Sequence, residues 1–177
     1  NLQTKSAFSE PGNNYSALAI NHRVFGRSVV KGFFHNRLGH TDGEFDSNDY
    51  TRNMGLEFEY NSKDGYDKMA AGVSKSFSDG VTDKNDYYHA IFSFGDDNFR
   101  FYANLAGIGK NYSDEMGFIQ QLNQYDAVED KVIKIGYDHL FSNFSYTLYP
   151  KSAKINTHRF GLISVGDWER EGNTNFS

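Results

Sequence analysis

The 177-residue sequence has no cysteine, two prolines, three methionines and a single tryptophan. Without cysteine there is no disulfide scaffold, no thiolate metal site and no cysteine nucleophile. A long apolar run is missing too: mean hydropathy is −0.68. A membrane-spanning helix needs about 20 consecutive apolar residues, so none is encoded. Nor is there an excess of positive charge. Lys and Arg number 18 against 23 Asp and Glu, a net charge of −5, which argues against the basic footprint of a nucleic-acid-binding protein. What the chain does hold is 16 Phe and 12 Tyr, many aromatics for a sequence that is hydrophilic on average. Alternating strands reconcile the two, because only every second strand residue has to be apolar.

The clearest strand is Tyr50 to Tyr60. Tyr50, Arg52, Met54, Leu56, Phe58 and Tyr60 take one face, and Thr51, Asn53, Gly55, Glu57 and Glu59 the other. A helix would have placed Glu57 among the apolar groups; period two keeps them apart. The pattern recurs in Leu18-Ile20-His22-Val24, Met69-Ala71-Val73-Phe77, Tyr88-Ala90-Phe92-Phe94 and Phe99-Phe101-Ala103-Leu105. It returns at Ile133-Ile135-Tyr137 and Phe144-Tyr146-Leu148, with weaker segments near 28–36 and 157–165. Together they predict about nine antiparallel strands and no helix.

The connections are expected to alternate. Phe25 to Ser28, Asn61 to Gly65, Gly95 to Asn98 and Phe141 to Asn143 read as tight turns. Arg37 to Asp49, Ser78 to Asp86, Gly109 to Asp130 and Pro150 to Asn156 read as loops. Turns at one end and loops at the other are the pattern of an up-and-down transmembrane β-barrel, with polar residues facing its lumen. Tyr50 and Tyr60 bracket the apolar band as aromatic girdles would. A soluble β-barrel or sandwich has the same period with its apolar face inward, and stays open as the alternative. Nine is an odd number for a closed bacterial barrel, where counts are even. The sequence is therefore expected to be one β-barrel segment, residues 1–177, of a longer chain. Its first residue, Asn1, and its polar end, Glu169 to Asn175, fit that expectation.

The stretch Ile108-Gly109-Lys110-Asn111-Tyr112-Ser113-Asp114-Glu115-Met116-Gly117-Phe118-Ile119-Gln120-Gln121 resembles a segment of a domain of unknown function in Bacteroidota outer-membrane proteins. In those proteins a barrel usually follows a family 9-like carbohydrate-binding module. Asn14-Tyr15-Ser16-Ala17-Leu18, Phe25-Gly26-Arg27-Ser28 and Tyr149-Pro150-Lys151 are similar to other steps of the same family. The likeness covers residues 11–165. Asp114 and Gln121 depart from it, standing where the family pattern has Pro and Arg. The resemblance implies a location in the outer membrane of a Gram-negative bacterium and a binding module upstream. It implies no catalytic residue.

Few residues suggest chemistry. Glu57 and Glu59, i and i+2 on a strand, lie about 7 Å apart by strand rise, a spacing a glycosidase could use and any polar face also has. Asp42, Glu44, Asp46 and Asp49 could offer oxygens to Ca²⁺, although they lack EF-hand order; divalent ions there could also bridge to lipopolysaccharide. The six His, at 22, 35, 40, 89, 139 and 158, show no metal-site spacing. Gly107-Ile108-Gly109 is no phosphate-binding fingerprint, since no helix follows. In the long 109–130 connection, Glu115, Met116, Gly117 and Phe118 are expected to fold back as a plug in the lumen or to pack on a neighbouring domain. Tyr112, Tyr125 and Trp168 are candidate stacking surfaces for a sugar ring. The expected partners are the lipid bilayer or lipopolysaccharide, other outer-membrane subunits, and glycans, but not nucleic acid. The functions in view are a structural, transport or envelope-complex barrel, a cell-surface carbohydrate-binding or glycan-processing protein, or a soluble ligand-binding barrel.

Overall fold

The computed structural model describes residues 2–4, 12–41, 44–114, 123–127, 129–151, 154, 156–170 and 175–176. They form strands β1 (Leu2–Gln3), β2 (Gly12–Val24), β3 (Ser28–Thr41), β4 (Glu44–Asn61), β5 (Lys68–Ser78) and β6 (Asp86–Gly95). There follow β7 (Phe99–Ile108), β8 (Asn123–Asp126), β9 (Lys131–Lys134), β10 (Tyr137–Leu148), β11 (His158–Glu169) and β12 (Asn175–Phe176). No helix occurs among the described residues. Ten strands make one antiparallel meander in the order β1-β2-β3-β4-β5-β6-β7-β10-β11-β12, and β8 and β9 form a separate hairpin. Among the described residues no ladder joins β2 to β11, so the sheet is open.

Register decides what each face carries, because paired residues in an antiparallel ladder share a face. Leu18 pairs with Phe34, Phe34 with Met54, Leu56 with Val73, and Val73 with Tyr88. Ala90 then pairs with Leu105, Leu105 with Leu140, and Phe144 with Leu162. One face is therefore apolar from β2 to β11. Its edge toward the β5–β6 connection is polar: Tyr88 donates to Asp138 at 2.8 Å, and Arg170 reaches Asp86 at 3.0 Å.

Burial runs opposite to that of a water-soluble sheet. In β5, Gly72, Ser74 and Ser76 are buried while Ala71, Val73 and Lys75 are exposed. In β4, Asn53 is 2% exposed and Leu56 62%. Among the described residues most buried side chains are polar, including Ser28, Thr51, Asn53, Ser74, Ser76, Asn85 and Ser145. Across β4 and β5 polar side chains are buried on one face, and the apolar face is exposed. Moving one Leu or Val side chain out of water is worth about 1.5–3 kcal/mol. A sheet-wide row of them is a poor interface with water.

Three sequence expectations change. Residues Phe141 to Asn143 are not a turn: β10 runs unbroken, paired with β7 over Tyr137–Tyr146 and with β11 throughout. Ser-Asn composition suggests a turn locally, but two matched neighbouring strands outweigh that preference. The predicted strand around Ile133 to Tyr137 is instead divided between the β8–β9 hairpin and the start of β10. These revisions leave eight long strands in place of about nine.

Residues 37–49 are also not a long loop, because β3 continues to Thr41 and β4 begins at Glu44. The pairing crosses an irregularity between Leu38 and His40. Backbone ladders form whatever the side-chain polarity, so a polar hairpin reads as loop from sequence alone. The strict alternation of turns and loops fails with these changes. The 149–157 connection lies at the same end as Phe25-Gly26-Arg27, 62–67 and 96–98.

Tight turns close that end. Phe25 (φ 47°) and Gly26 (φ 80°) take left-handed conformations, and Asp96 accepts the amides of Asn98 and Phe99 at 2.8 and 2.7 Å. The Phe99 and Asn98 amides hold the Asp96 carboxyl below its ordinary value of 3.8. A depressed carboxylate supports the turn above the unfolded value and ceases to as pH falls through the folded one. The amide NMR shifts of Asn98 and Phe99 are thus expected to titrate with a midpoint below 3.8, and Asp96→Asn to abolish that titration. A second expectation concerns β10: Ser142→Pro removes an amide from a doubly flanked strand and should cost about 1–3 kcal/mol, read as a lower urea midpoint. A Ser142→Pro variant as stable as the parent would restore the turn.

Candidate functional site on the polar face of the sheet

Seven strands contribute to one row across the polar face. Lys31 pairs with Glu57, Glu57 with Gly72, Gly72 with His89, His89 with Ala106, Ala106 with His139, and His139 with Asp167. The Lys31 ammonium bridges both carboxylates, at 2.8 Å to Glu57 and 2.5 Å to Glu59. His89 reaches over β5 to Glu57, with Nε2 3.1 Å from Oε2. Gly72 makes that reach possible, since a Cβ there would stand 2.6 Å from the His89 ring. At the far side His139 Nδ1 lies 2.7 Å from Asp167. The row therefore sets a cation or an imidazole beside each carboxylate. The two glutamates are both engaged by one cation rather than flanking an open space.

The chain after β7 folds onto the same face. Gly109 donates to Asp86 O at 2.8 Å and Asn111 to Lys84 O at 2.8 Å. The crossing is so close that a Cβ at Gly109 would come within 2.2 Å of Lys84 O. This approach is the use of a glycine that carries no phosphate fingerprint. Tyr112 then drops into a polar seat, 7% exposed. Asn53 Nδ2 donates to its hydroxyl at 2.8 Å, and Ser74 Oγ shares a hydrogen bond with it at 2.8 Å. Its ring lies 5.7 Å from that of Tyr87 and packs with Ile108. Burial pushes the Tyr112 hydroxyl up. Ser113 donates its amide to Ser76 Oγ at 3.1 Å, and Asp114 faces His35 at 3.8 Å. Asn85, 2% exposed, ties the neighbouring connection to β5 through a 2.5 Å bond to Ser76 O.

The other candidates fall elsewhere. Glu115, Met116, Gly117 and Phe118 lie outside the described residues, as does Asp42. Glu44, Asp46 and Asp49 stand on β4. Asp49 is held by Arg37 at 2.5 Å, and Asp46 accepts the Asn48 amide at 2.9 Å. Among the described residues no three His, Asp or Glu converge as metal ligands. Tyr125 is on the separate hairpin, bonded to Asp130 at 2.5 Å. Trp168 belongs to the apolar face, opposite Asp138, while Tyr112 sits on the polar one. The three aromatics therefore do not share a platform.

Sequence reading missed the seven-strand row, because its members come from distant segments. The tight turn after Val24 is a signal for part of it, since a Val24–Ser28 pair places Asn21 opposite Lys31. Tyr112→Phe is expected to cost about 1–3 kcal/mol, by leaving Asn53 and Ser74 with a lost partner in a buried seat. Urea unfolding measures the cost, and faster proteolysis after residue 112 would report release of the segment.

No known protein family, curated protein or solved structure matches this chain.

Proposed function

We propose that the chain is part of an outer-membrane β-barrel of a Gram-negative, Bacteroidota-type envelope, with a structural, transport or envelope-complex role. The observation that carries this reading is the inverted partition of the sheet: apolar residues face outward and polar residues crowd inward. A soluble ligand-binding barrel needs the reverse, which weighs against that alternative. Among the described residues no helix is long and apolar enough to cross a membrane, so passage would be by strands.

The dimensions support the same reading. From Tyr50 to Tyr60, strand rise gives about 33 Å, or about 25 Å across a bilayer at a tilt near 40°. Tyr88 and Trp168 stand in one row at one end of the apolar face, with Tyr146 toward the other. Lipid or lipopolysaccharide would cover this face, and water or the folded-back Tyr112 segment would occupy the other. Closure would come from strands joining at the edges already occupied by β1 and β12, whose short ladders are antiparallel. For the carbohydrate-binding alternative, the separated aromatics supply no common surface.

The test compares the two faces in phospholipid vesicles. Leu56→Arg and Val73→Arg should each cost about 2–4 kcal/mol of unfolding free energy near the bilayer midplane. Asn21→Arg, on the polar face, should stay within about 0.5 kcal/mol of the parent. Equal costs on both faces, or a monodisperse chain in detergent-free buffer, would overturn the proposal.

A further inference from the structure

The polar face carries a second cluster, closer to the tight-turn end, in which cations outnumber acids. Lys68, Arg100 and Arg159 line a depression of about 340 Å³, together with Ser93, Tyr102, Ser145 and a single acid, Asp96. Register explains the convergence. Lys68 pairs with Ser93 and Ser93 with Tyr102; Arg100 pairs with Ser145, and Ser145 with Gly161. Arg100 is two residues from Tyr102, and Arg159 two from Gly161, so each cation stands on the polar face. Two strand spacings and two residues of rise separate neighbouring cations by roughly 12 Å between Cα atoms. Lysine and arginine side chains are long enough to meet over such a gap. Gly161 leaves the floor beside Arg159 bare, its nearest non-adjacent atom being Phe144 O at 3.5 Å from a built Cβ.

The nearby acids are already engaged. Glu59 is bound to Lys31. Asp96 accepts two turn amides, and Asp97 accepts the Tyr66 hydroxyl at 3.3 Å. Among the described residues neither Lys68, Arg100 nor Arg159 forms an ion pair. Arg159 donates to Ser145 Oγ at 3.3 Å, which steadies its guanidinium beside the depression. All three cations are exposed to solvent, so an anion seated among them would meet three positive charges against the single acid Asp96.

We propose that this depression is a binding site for a multivalent oxyanion, a ligand carrying two or more phosphate or carboxylate groups. One such group is held by the fork of Arg100 and a second by that of Arg159, each by paired N–H donors. Lys68 adds a point charge, and Ser93, Tyr102 and Ser145 supply hydroxyl donors. A monovalent anion spans too little of the cluster to engage all three cations. The site is independent of the membrane reading, because the polar face meets water whether the other face meets lipid or not.

Isothermal titration of the folded chain with pyrophosphate and, separately, citrate tests the site. At least one is expected to bind saturably at one per chain, more weakly as salt rises. The tighter of the two assigns the site to phosphate or to carboxylate. Arg100→Gln and Arg159→Gln should each weaken binding at least tenfold, while Lys134→Gln on the separate hairpin should leave it unchanged. If either glutamine variant fails to fold, Arg100→Lys and Arg159→Lys replace it, with a smaller loss expected because the charge stays and only the fork is gone. Absence of saturable binding by both probes would overturn the proposal. So would unchanged affinity in the arginine variants.

Discussion

Everything in this molecule depends on the antiparallel ladder holding its register across eight long strands. Side chains alternate sides with period two, so each ladder pair commits two residues to one face. From Leu18 on β2 to Leu162 on β11 the pairs agree, and apolar meets apolar at nearly every step. A slip of one residue in any strand would send its apolar set to the polar side and its charges to the other. Lys75, Asp138 and Arg170 are exceptions near one margin, beside aromatic rings, and Ser142, paired with Ala103 and Ser164, interrupts the apolar face in mid-strand.

The second consequence of register is the composition of the polar face. Salt bridges between exposed residues are individually weak, so the Lys31–Glu57–Glu59–His89 group is better understood as a device for crowding charge at low electrostatic cost. Each acid near the middle of the face has a cation or an imidazole within reach. Toward the turns the balance changes, and Lys68, Arg100 and Arg159 outnumber Asp96, the one acid that lines their depression. Tyr112 adds a third element. Its ring adds to the aromatic packing that Phe33–His35, Tyr87–His89 and Tyr102–Phe141 give the polar face, and its hydroxyl satisfies two buried groups at once. The segment after β7 thereby becomes part of the sheet's interior at the end opposite the basic cluster.

How far the sequence could be read depended on the range of the interaction concerned. Alternation over Tyr50 to Tyr60 marks β4 and both of its faces without any knowledge of neighbours. The turns at Phe25-Gly26-Arg27 and around Asp96 are also local, because they need only left-handed backbone or a side chain that accepts nearby amides. Errors came where a neighbour decides. Phe141-Ser142-Asn143 has turn-like composition and lies mid-strand, since β7 and β11 both supply partners. The stretch around His40-Thr41 and Glu44-Phe45 is mostly polar without alternation and still pairs, since a hairpin ladder uses the backbone. Loss of the false turn also removed the odd strand count.

By itself the sequence determined the all-β class, the existence of two chemically distinct faces, and the absence of thiol chemistry or a spanning helix. These follow from composition and period-two order, which belong to each segment alone. Only the tertiary structure decided which face is crowded and which is open, that His89 reaches Glu57 across Gly72, and that Tyr112 has its seat on Asn53 and Ser74. It alone gathered Lys68, Arg100 and Arg159. Curl and cross-strand register are properties of many strands together, and residues 37 or 59 positions apart become neighbours only once the ladders between them have formed.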